Sequence, residues 1–178
     1  MLVKRGIVLL LLTWCVAVNA EVPNLKLLRQ QLLEAVQKRS TNDSLYHSLT
    51  TTKNKSPLLT SYLGAVEALR AKHTWNPYLK LKYLNDAENT LEGAVNNDPH
   101  NIEIRFMRFS IEHNVPGFLG YTKHLEADRK EMIRQLDKKY YASADQNVVI
   151  TIIKFLINSK RCTPDENETL HKQLAALK

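Results

Sequence analysis

Several residue types and patterns are scarce in this chain, and each scarcity narrows what the protein can be. Its 178 residues include only five Gly and six Pro, which fall between the apolar stretches and separate them. No convincing alternation of apolar and polar residues is present, so the sequence does not predict strands. There is no run of five like charges and no Arg-rich or aromatic-interleaved segment, which disfavours a nucleic-acid-binding protein.

Sequence motifs of known metal-binding, catalytic and cofactor-binding sites are also missing. The six histidines are widely spaced, and no His-x-x-x-His, His-Glu-x-x-His or Cys-x-x-Cys pattern occurs, so no metal site is predicted. His113 and His124 flank one turn, but two histidines without a third ligand do not indicate a metal. Neither a nucleophile elbow nor a phosphate loop nor a dinucleotide fingerprint is present. We therefore predict a protein that is not an enzyme and binds no cofactor.

The N-terminal residues have the three parts of a secretory signal peptide. Lys4 and Arg5 supply the positive region, residues 6–17 form an apolar stretch, and Val18-Asn19-Ala20 presents a cleavage site. The apolar stretch is too short for a membrane-spanning helix, which needs about 20 residues. We therefore predict cleavage after Ala20 and export to the periplasm or the extracellular space.

Two alternatives to a cleaved signal peptide are an uncleaved anchor and lipidation of Cys15. Lipidation is disfavoured because Trp14 stands where lipoprotein signals require a small residue. Cleavage leaves Cys162 as the remaining cysteine, so the mature chain cannot form an internal disulfide and must rely on its core. Lys160 and Arg161 would lower the pKa of that thiol, but no catalytic partners are recognisable, which favours a loop cysteine.

The remainder, residues 21–178, reads as one all-α domain of seven or eight antiparallel helices, joined by short loops. Ser56-Pro57, Asn76-Pro77 and Thr163-Pro164 each combine an N-cap residue with Pro at the first helical position. The predicted helices are residues 25–36 after Asn24, a weak one over 43–51, then 57–72, 77–97, 102–113, 118–140, 148–157 capped by Ser143, and one from 164 onward.

A partial repeat signature lies in the middle of the chain. Leu84, Ala87, Leu91, Ala94 and Pro99 resemble the second helix of a tetratricopeptide repeat, in which small residues let a neighbouring helix pack closely and Pro turns the chain. The match covers about half a repeat. The resemblance implies stacked helical hairpins of the tetratricopeptide type.

The segment 73–129 carries a second resemblance. Its blocks 72–77, 103–109 and 114–121 resemble uncharacterised exported helical proteins of Bacteroidota-type bacteria. This resemblance covers about a third of the chain. It implies a periplasmic location and brings no known activity with it.

The helix predicted over 102–113 is apolar on two opposed faces. On a helical wheel, one side carries Ile102, Phe106 and Phe109, whereas the other carries Ile104, Met107 and Ile111. A helix with this pattern packs between two layers, so we expect it to be central in the fold.

Arg105 and Arg108 lie on a stripe between these two faces and need acidic partners if they are partly buried. Glu88 on the preceding helix is the predicted partner, and Glu112 can supply some charge to Arg108. The alternative is that both arginines line a groove and bind a carboxylate or phosphate.

The turn over 114–121 contains Pro, two Gly and two aromatic residues. It either presents Phe118 and Tyr121 for recognition or forms a tight corner with both aromatics tucked into the core, and we favour the corner.

The sequence favours an exported scaffold or adaptor that binds a partner protein or peptide in the cell envelope, as stacked helical hairpins commonly do. The alternative is a periplasmic carrier of a small anionic or lipidic ligand held between helices by Arg105 and Arg108. The candidate binding residues are Arg105, Arg108, Phe118, Tyr121 and Trp75.

Overall fold

A computed structural model describes residues 24–141 and 144–177, and within these ranges the chain forms eight α-helices and no strand. The predicted all-α class is therefore confirmed, whereas tetratricopeptide-like stacking remains a prediction. The predicted signal peptide lies outside the described residues. The helices are α1 (Leu25–Gln37), α2 (Arg39–Thr51), α3 (Pro57–His73), α4 (Pro77–Asn97), α5 (Ile102–Asn114), α6 (Leu125–Asp137), α7 (Gln146–Asn158) and α8 (Pro164–Ala176). Among the described helices, none combines the length and apolarity that crossing a membrane requires.

Most helices begin where their capping residues predict. The Asn24 side chain accepts a hydrogen bond from the Leu27 amide, and Ser56 does the same for the first turn of α3. Asn76 accepts from two amides at the start of α4, and Thr163 forms a capping box with Glu166 at the start of α8. Each cap satisfies amides that have no partner within their own helix.

Three predicted helix starts were wrong. The second helix begins at Arg39 rather than at residue 43. The helix predicted from Phe118 begins at Leu125, because Gly117–Leu119 forms a short 3-10 helix that Gly120 ends at φ 81°, in the left-handed region. Helix α7 begins at Gln146 and is capped by Asp145, whose side chain accepts from the Val148 amide; the predicted cap, Ser143, lies outside the described residues.

Helix α5 lies between two parts of the core, as its two apolar faces predict. Ile102 and Phe109 are buried in a cluster built with α6, α7 and α8. Met107 belongs to a second cluster built mainly from α1, α2 and α3, and Ile104 packs with two residues of α4 in a third. The central position of this helix is confirmed.

Helices α3 and α4 approach each other closely at Gly64. A Cβ atom at this position would lie 2.6 Å from Cγ and 3.1 Å from Cδ2 of the buried Leu91, and 3.4 Å from the Ala87 carbonyl oxygen. The missing side chain therefore sets the distance between the two helices.

We expect Gly64→Ala to destabilise the protein by about 1–2 kcal/mol, because overpacking a core costs about 1–3 kcal/mol and exceeds the gain in helix propensity of about 1 kcal/mol. Gly93→Ala on α4 is the matched control, since a Cβ there meets nothing within 4 Å. It should stabilise by roughly 0.5–1 kcal/mol. Urea unfolding of both variants measures the difference. Equal changes in the free energy of unfolding, in the same direction, would contradict the close packing at Gly64.

A buried carboxylate joins the same two helices. Thr90 Oγ1 donates to Glu67 Oε2 at 2.7 Å, and burial raises the pKa of Glu67 despite that hydrogen bond. A carboxyl whose folded-state pKa lies above its unfolded-state value stabilises the fold at low pH and loses that contribution as pH rises through the folded-state pKa.

Glu67→Gln should therefore raise the free energy of unfolding at neutral pH, because the amide keeps an acceptor for Thr90 and carries no charge. The gain should shrink as pH falls below the ordinary glutamate pKa, given as 4.5. Denaturant unfolding from acid to neutral pH tests this, with the exposed Glu92→Gln on α4 as control. A gain that does not change with pH would show that ionisation of Glu67 is not its cause.

Candidate functional site

Arg105 and Arg108 form a buried ion-pair cluster with Asp128 of α6. Arg108 Nε and Nη2 bind the two Asp128 oxygens at 2.8 and 2.7 Å, and Arg105 Nη1 binds Oδ1 at 2.7 Å. Arg105 Nε also donates to the Pro99 carbonyl. Asp128 is completely buried, so both guanidinium groups hold α5 against α6, and we place no ligand there.

The predicted acidic partners of the arginines were wrong. Glu88 accepts a hydrogen bond from Lys123 Nζ at 2.9 Å instead. Glu112 instead contacts His124. Its Oε2 accepts a hydrogen bond from the His124 backbone amide at 2.9 Å, and its Oε1 lies 2.6 Å from His124 Nδ1. Glu112 therefore fixes the residue that precedes α6 rather than neutralising Arg108.

The pKa of the Cys162 thiol also differs from the expectation. Burial raises it, and the Glu166 carboxylate adds to that effect, whereas the neighbouring cations were expected to lower it. The thiol faces the Leu156 carbonyl oxygen at 3.5 Å. These surroundings fit the structural loop cysteine that the sequence favours.

The described residues form an apolar groove of about 880 Å³. Its floor is the side of α3 that carries Ala65, Ala68 and Ala71, whose small side chains leave the space open. The walls come from α1, from Leu69 and Lys72 of α3, from the first half of α4, and from residues 107–119, which span the second half of α5 and the segment after it. They are mostly aliphatic and include Leu32, Val36, Leu69, Leu81, Leu84, Met107, Ile111, Val115 and Leu119.

Large exposed apolar side chains line this groove or adjoin its lining residues along the chain. Phe118 lines it and is 87% exposed, so the favoured interpretation of residues 114–121 as a corner with buried aromatics was wrong for Phe118. Leu81 also lines it and is 43% exposed. Along the chain, Trp75 and Tyr78 lie on either side of Pro77, which lines the groove, and they are 96% and 83% exposed. We call Trp75, Tyr78 and Phe118 the aromatic rim.

Tyr121 does not line the groove. It is half-buried, and its hydroxyl donates to Asn85 Oδ1 at 2.5 Å, which ties the segment after the 3-10 helix to α4. Burial raises the pKa of this phenol. Of the five candidate residues, the structure therefore places Phe118 in the groove lining and leaves Trp75 exposed two residues before the lining residue Pro77, whereas Tyr121 and the two arginines make contacts elsewhere.

The charges that line the groove are of one sign. Lys72 and Lys80 contribute to its walls, and no Asp or Glu is among its described lining residues. Lys72 Nζ donates to the Val36 carbonyl at 2.7 Å, which places the ammonium group at the α1 side. Both lysines are exposed, so an acidic group on a bound molecule could reach them.

Sequence reasoning missed the groove because its residues come from four separate segments of the chain. One signal was available: Ala65, Ala68 and Ala71 recur every three residues on one predicted helix, a small-residue stripe that leaves room beside the helix. That stripe is equally compatible with close helix packing, and only the tertiary arrangement shows which applies.

Comparison of the chain with protein-family models, curated proteins and solved structures finds no match. Within residues 24–141 and 144–177, no group of three or more His, Cys, Asp or Glu side chains is arranged to hold a metal ion.

Proposed function

We propose that this protein is a helical adaptor that binds a segment of a partner protein in the groove between α1, α3, α4 and α5. The observation that carries the proposal is the open apolar groove together with the aromatic rim. Contiguous exposed apolar surface is unusual on a monomeric protein and marks an interaction site.

The aromatic rim supports a protein segment as the occupant. Trp and Tyr are enriched among the residues that contribute most to protein interfaces. Trp75 and Tyr78 do not line the cavity but adjoin its lining residue Pro77 along the chain, so a protein segment longer than the cavity can extend over them. The rim therefore extends the contact surface beyond the cavity itself.

The test is a cross-linking experiment followed by affinity measurement with the purified partner. A photoreactive amino acid at Phe118 should cross-link a specific protein in the host cell, whereas the same group at exposed Leu33 should not. Leu81→Asp should then weaken binding of the purified partner by at least about tenfold, which corresponds to about 1.4 kcal/mol.

Leu33→Asp is the matched control, because Leu33 is an exposed leucine on α1 that does not line the groove. It should leave the affinity within about twofold, or roughly 0.4 kcal/mol. Equal effects of the two substitutions would overturn the groove as the binding site.

The second candidate function is a carrier of a small anionic or lipidic ligand. The groove volume of about 880 Å³ is in the range of small-molecule pockets, and apolar walls with Lys72 and Lys80 fit an anionic amphiphile. Native mass spectrometry of protein purified from its host tests this. A retained lipid that Leu81→Asp releases would favour the carrier over the adaptor.

We also propose that the adaptor works outside the cytoplasm, on the basis of the predicted signal peptide. N-terminal sequencing of the protein from its host should then begin at Glu21. A cytoplasmic protein that retains residues 1–20 would contradict export, and a lipid on Cys15 would contradict cleavage after Ala20.

A further inference from the structure

We infer that the partner segment is an amphipathic α-helix that carries acidic residues beside its apolar stripe. This inference rests on the proposed function and specifies the chemistry of the occupant. The walls of the groove and the charges at its edge support it.

The groove favours a helix over the other common shapes of a bound segment. A segment that binds by strand addition needs an unpaired sheet edge, and the described residues contain no strand. A polyproline segment needs a groove lined with aromatic side chains, whereas Phe118 is the one aromatic residue in this lining. A groove with aliphatic walls between helices is the type that receives the apolar face of an amphipathic helix.

The floor of the groove fits the same occupant. Ala65, Ala68 and Ala71 present small side chains, so the large apolar residues of a bound helix can reach α3. Residues spaced i, i+3, i+4 and i+7 on that helix would occupy the groove, and the aromatic rim would contact the flanks of the helix.

Charge selects among amphipathic helices. Lys72 and Lys80 line the groove without an acidic residue among its described walls, so a basic helix would meet repulsion and an acidic one attraction. The attraction acts between exposed groups and should therefore weaken as salt is added.

The test uses a phage-displayed library of random peptides of about 16 residues, roughly 24 Å long as helices. Selection on the wild type, with counter-selection on Leu81→Asp, should enrich peptides with apolar residues at helical spacing and with Asp or Glu. Synthetic copies should gain helical circular dichroism on binding. The double variant Lys72→Glu with Lys80→Glu should bind these peptides at least about tenfold more weakly than the wild type does. Selection on that variant should favour peptides with Lys and Arg instead.

The matched control is Lys26→Glu with Lys154→Glu, which changes the net charge equally at two exposed positions outside the groove. It should leave affinity within about twofold. Groove-directed peptides that lack acidic residues, or that are unaffected by the reversal at Lys72 and Lys80, would overturn the acidic helix and leave the adaptor intact. If no selected peptide loses affinity for Leu81→Asp, the adaptor itself is wrong.

Discussion

Asp128→Ala is expected to destabilise the protein by about 3–5 kcal/mol, because it leaves buried positive charge without its partner. Asp128 is completely buried and accepts three hydrogen bonds from Arg105 and Arg108, at 2.7–2.8 Å. Removing the carboxylate costs these hydrogen bonds and leaves two guanidinium groups close together in a poorly solvated site. Such a loss is a large fraction of the stability of a typical domain, about 5–15 kcal/mol.

The cause of that loss can be separated from simple loss of packing. Asp128→Leu alone should be nearly as damaging as Asp128→Ala, because it fills the space but leaves the charges. Adding Arg105→Met and Arg108→Met should restore most of the stability, since apolar replacement of a whole buried ion-pair cluster is often neutral or stabilising. If the triple variant is no more stable than Asp128→Leu, uncompensated charge is not the cause.

Glu126→Ala is the control on the same helix. Glu126 is exposed and pairs with Lys130 one turn later, and solvent-exposed ion pairs of this kind contribute little to stability. Urea unfolding of Asp128→Ala and Glu126→Ala should therefore give very different midpoints. A loss below about 1 kcal/mol in Asp128→Ala, comparable to a surface ion pair, would contradict the buried network.

Helix α5 shows how far the sequence could predict this network. Its two apolar faces indicated a central position, and a central position requires that Arg105 and Arg108 have acidic partners. Their partner was not predictable, because Glu88 and Asp128 are both acids on neighbouring helices. The choice between them depends on the distance and rotation between helices, which periodicity does not specify.

The other features of the fold also divide into those fixed by residues nearby in the sequence, which can be predicted, and those fixed by distant residues, which cannot. Caps such as Asn76 and Thr163 act on amides within a few residues of themselves, so the sequence predicts the starts of α4 and α8. The start of α6 was missed because Gly120 ends the preceding 3-10 turn and because Glu112, twelve residues before His124, accepts from its amide. The groove was missed for the same reason, since residues far apart in the sequence form it.

A second buried network joins α1 to α5 and has its own expected result. Glu103 is almost fully buried and accepts hydrogen bonds from Arg29 Nε and Nη2 of α1, both at 2.8 Å. The Tyr62 hydroxyl of α3 donates to the same carboxylate at 2.5 Å. Burial, reinforced by the Glu103 charge, raises the pKa of Tyr62, so the phenol remains protonated and keeps donating.

Glu103→Ala is therefore expected to destabilise the protein by about 2–4 kcal/mol. The loss should be smaller than for Asp128→Ala because Arg29 is partly exposed and keeps its contact with Asp145, at 2.8 Å. Glu92→Ala, at an exposed position on α4, should change stability by less than about 0.5 kcal/mol.

A double-mutant cycle with Tyr62→Phe identifies the source of that loss. Tyr62→Phe alone removes one hydrogen bond and should cost about 1 kcal/mol, but in the Glu103→Ala background the hydroxyl has already lost its acceptor. Removing it there should cost nothing or stabilise slightly, because a buried hydroxyl without a partner is itself unfavourable. Additive effects of the two substitutions would mean that the Tyr62 hydroxyl contributes independently of Glu103, and that Glu103 stabilises the fold through Arg29 rather than through the three-residue network.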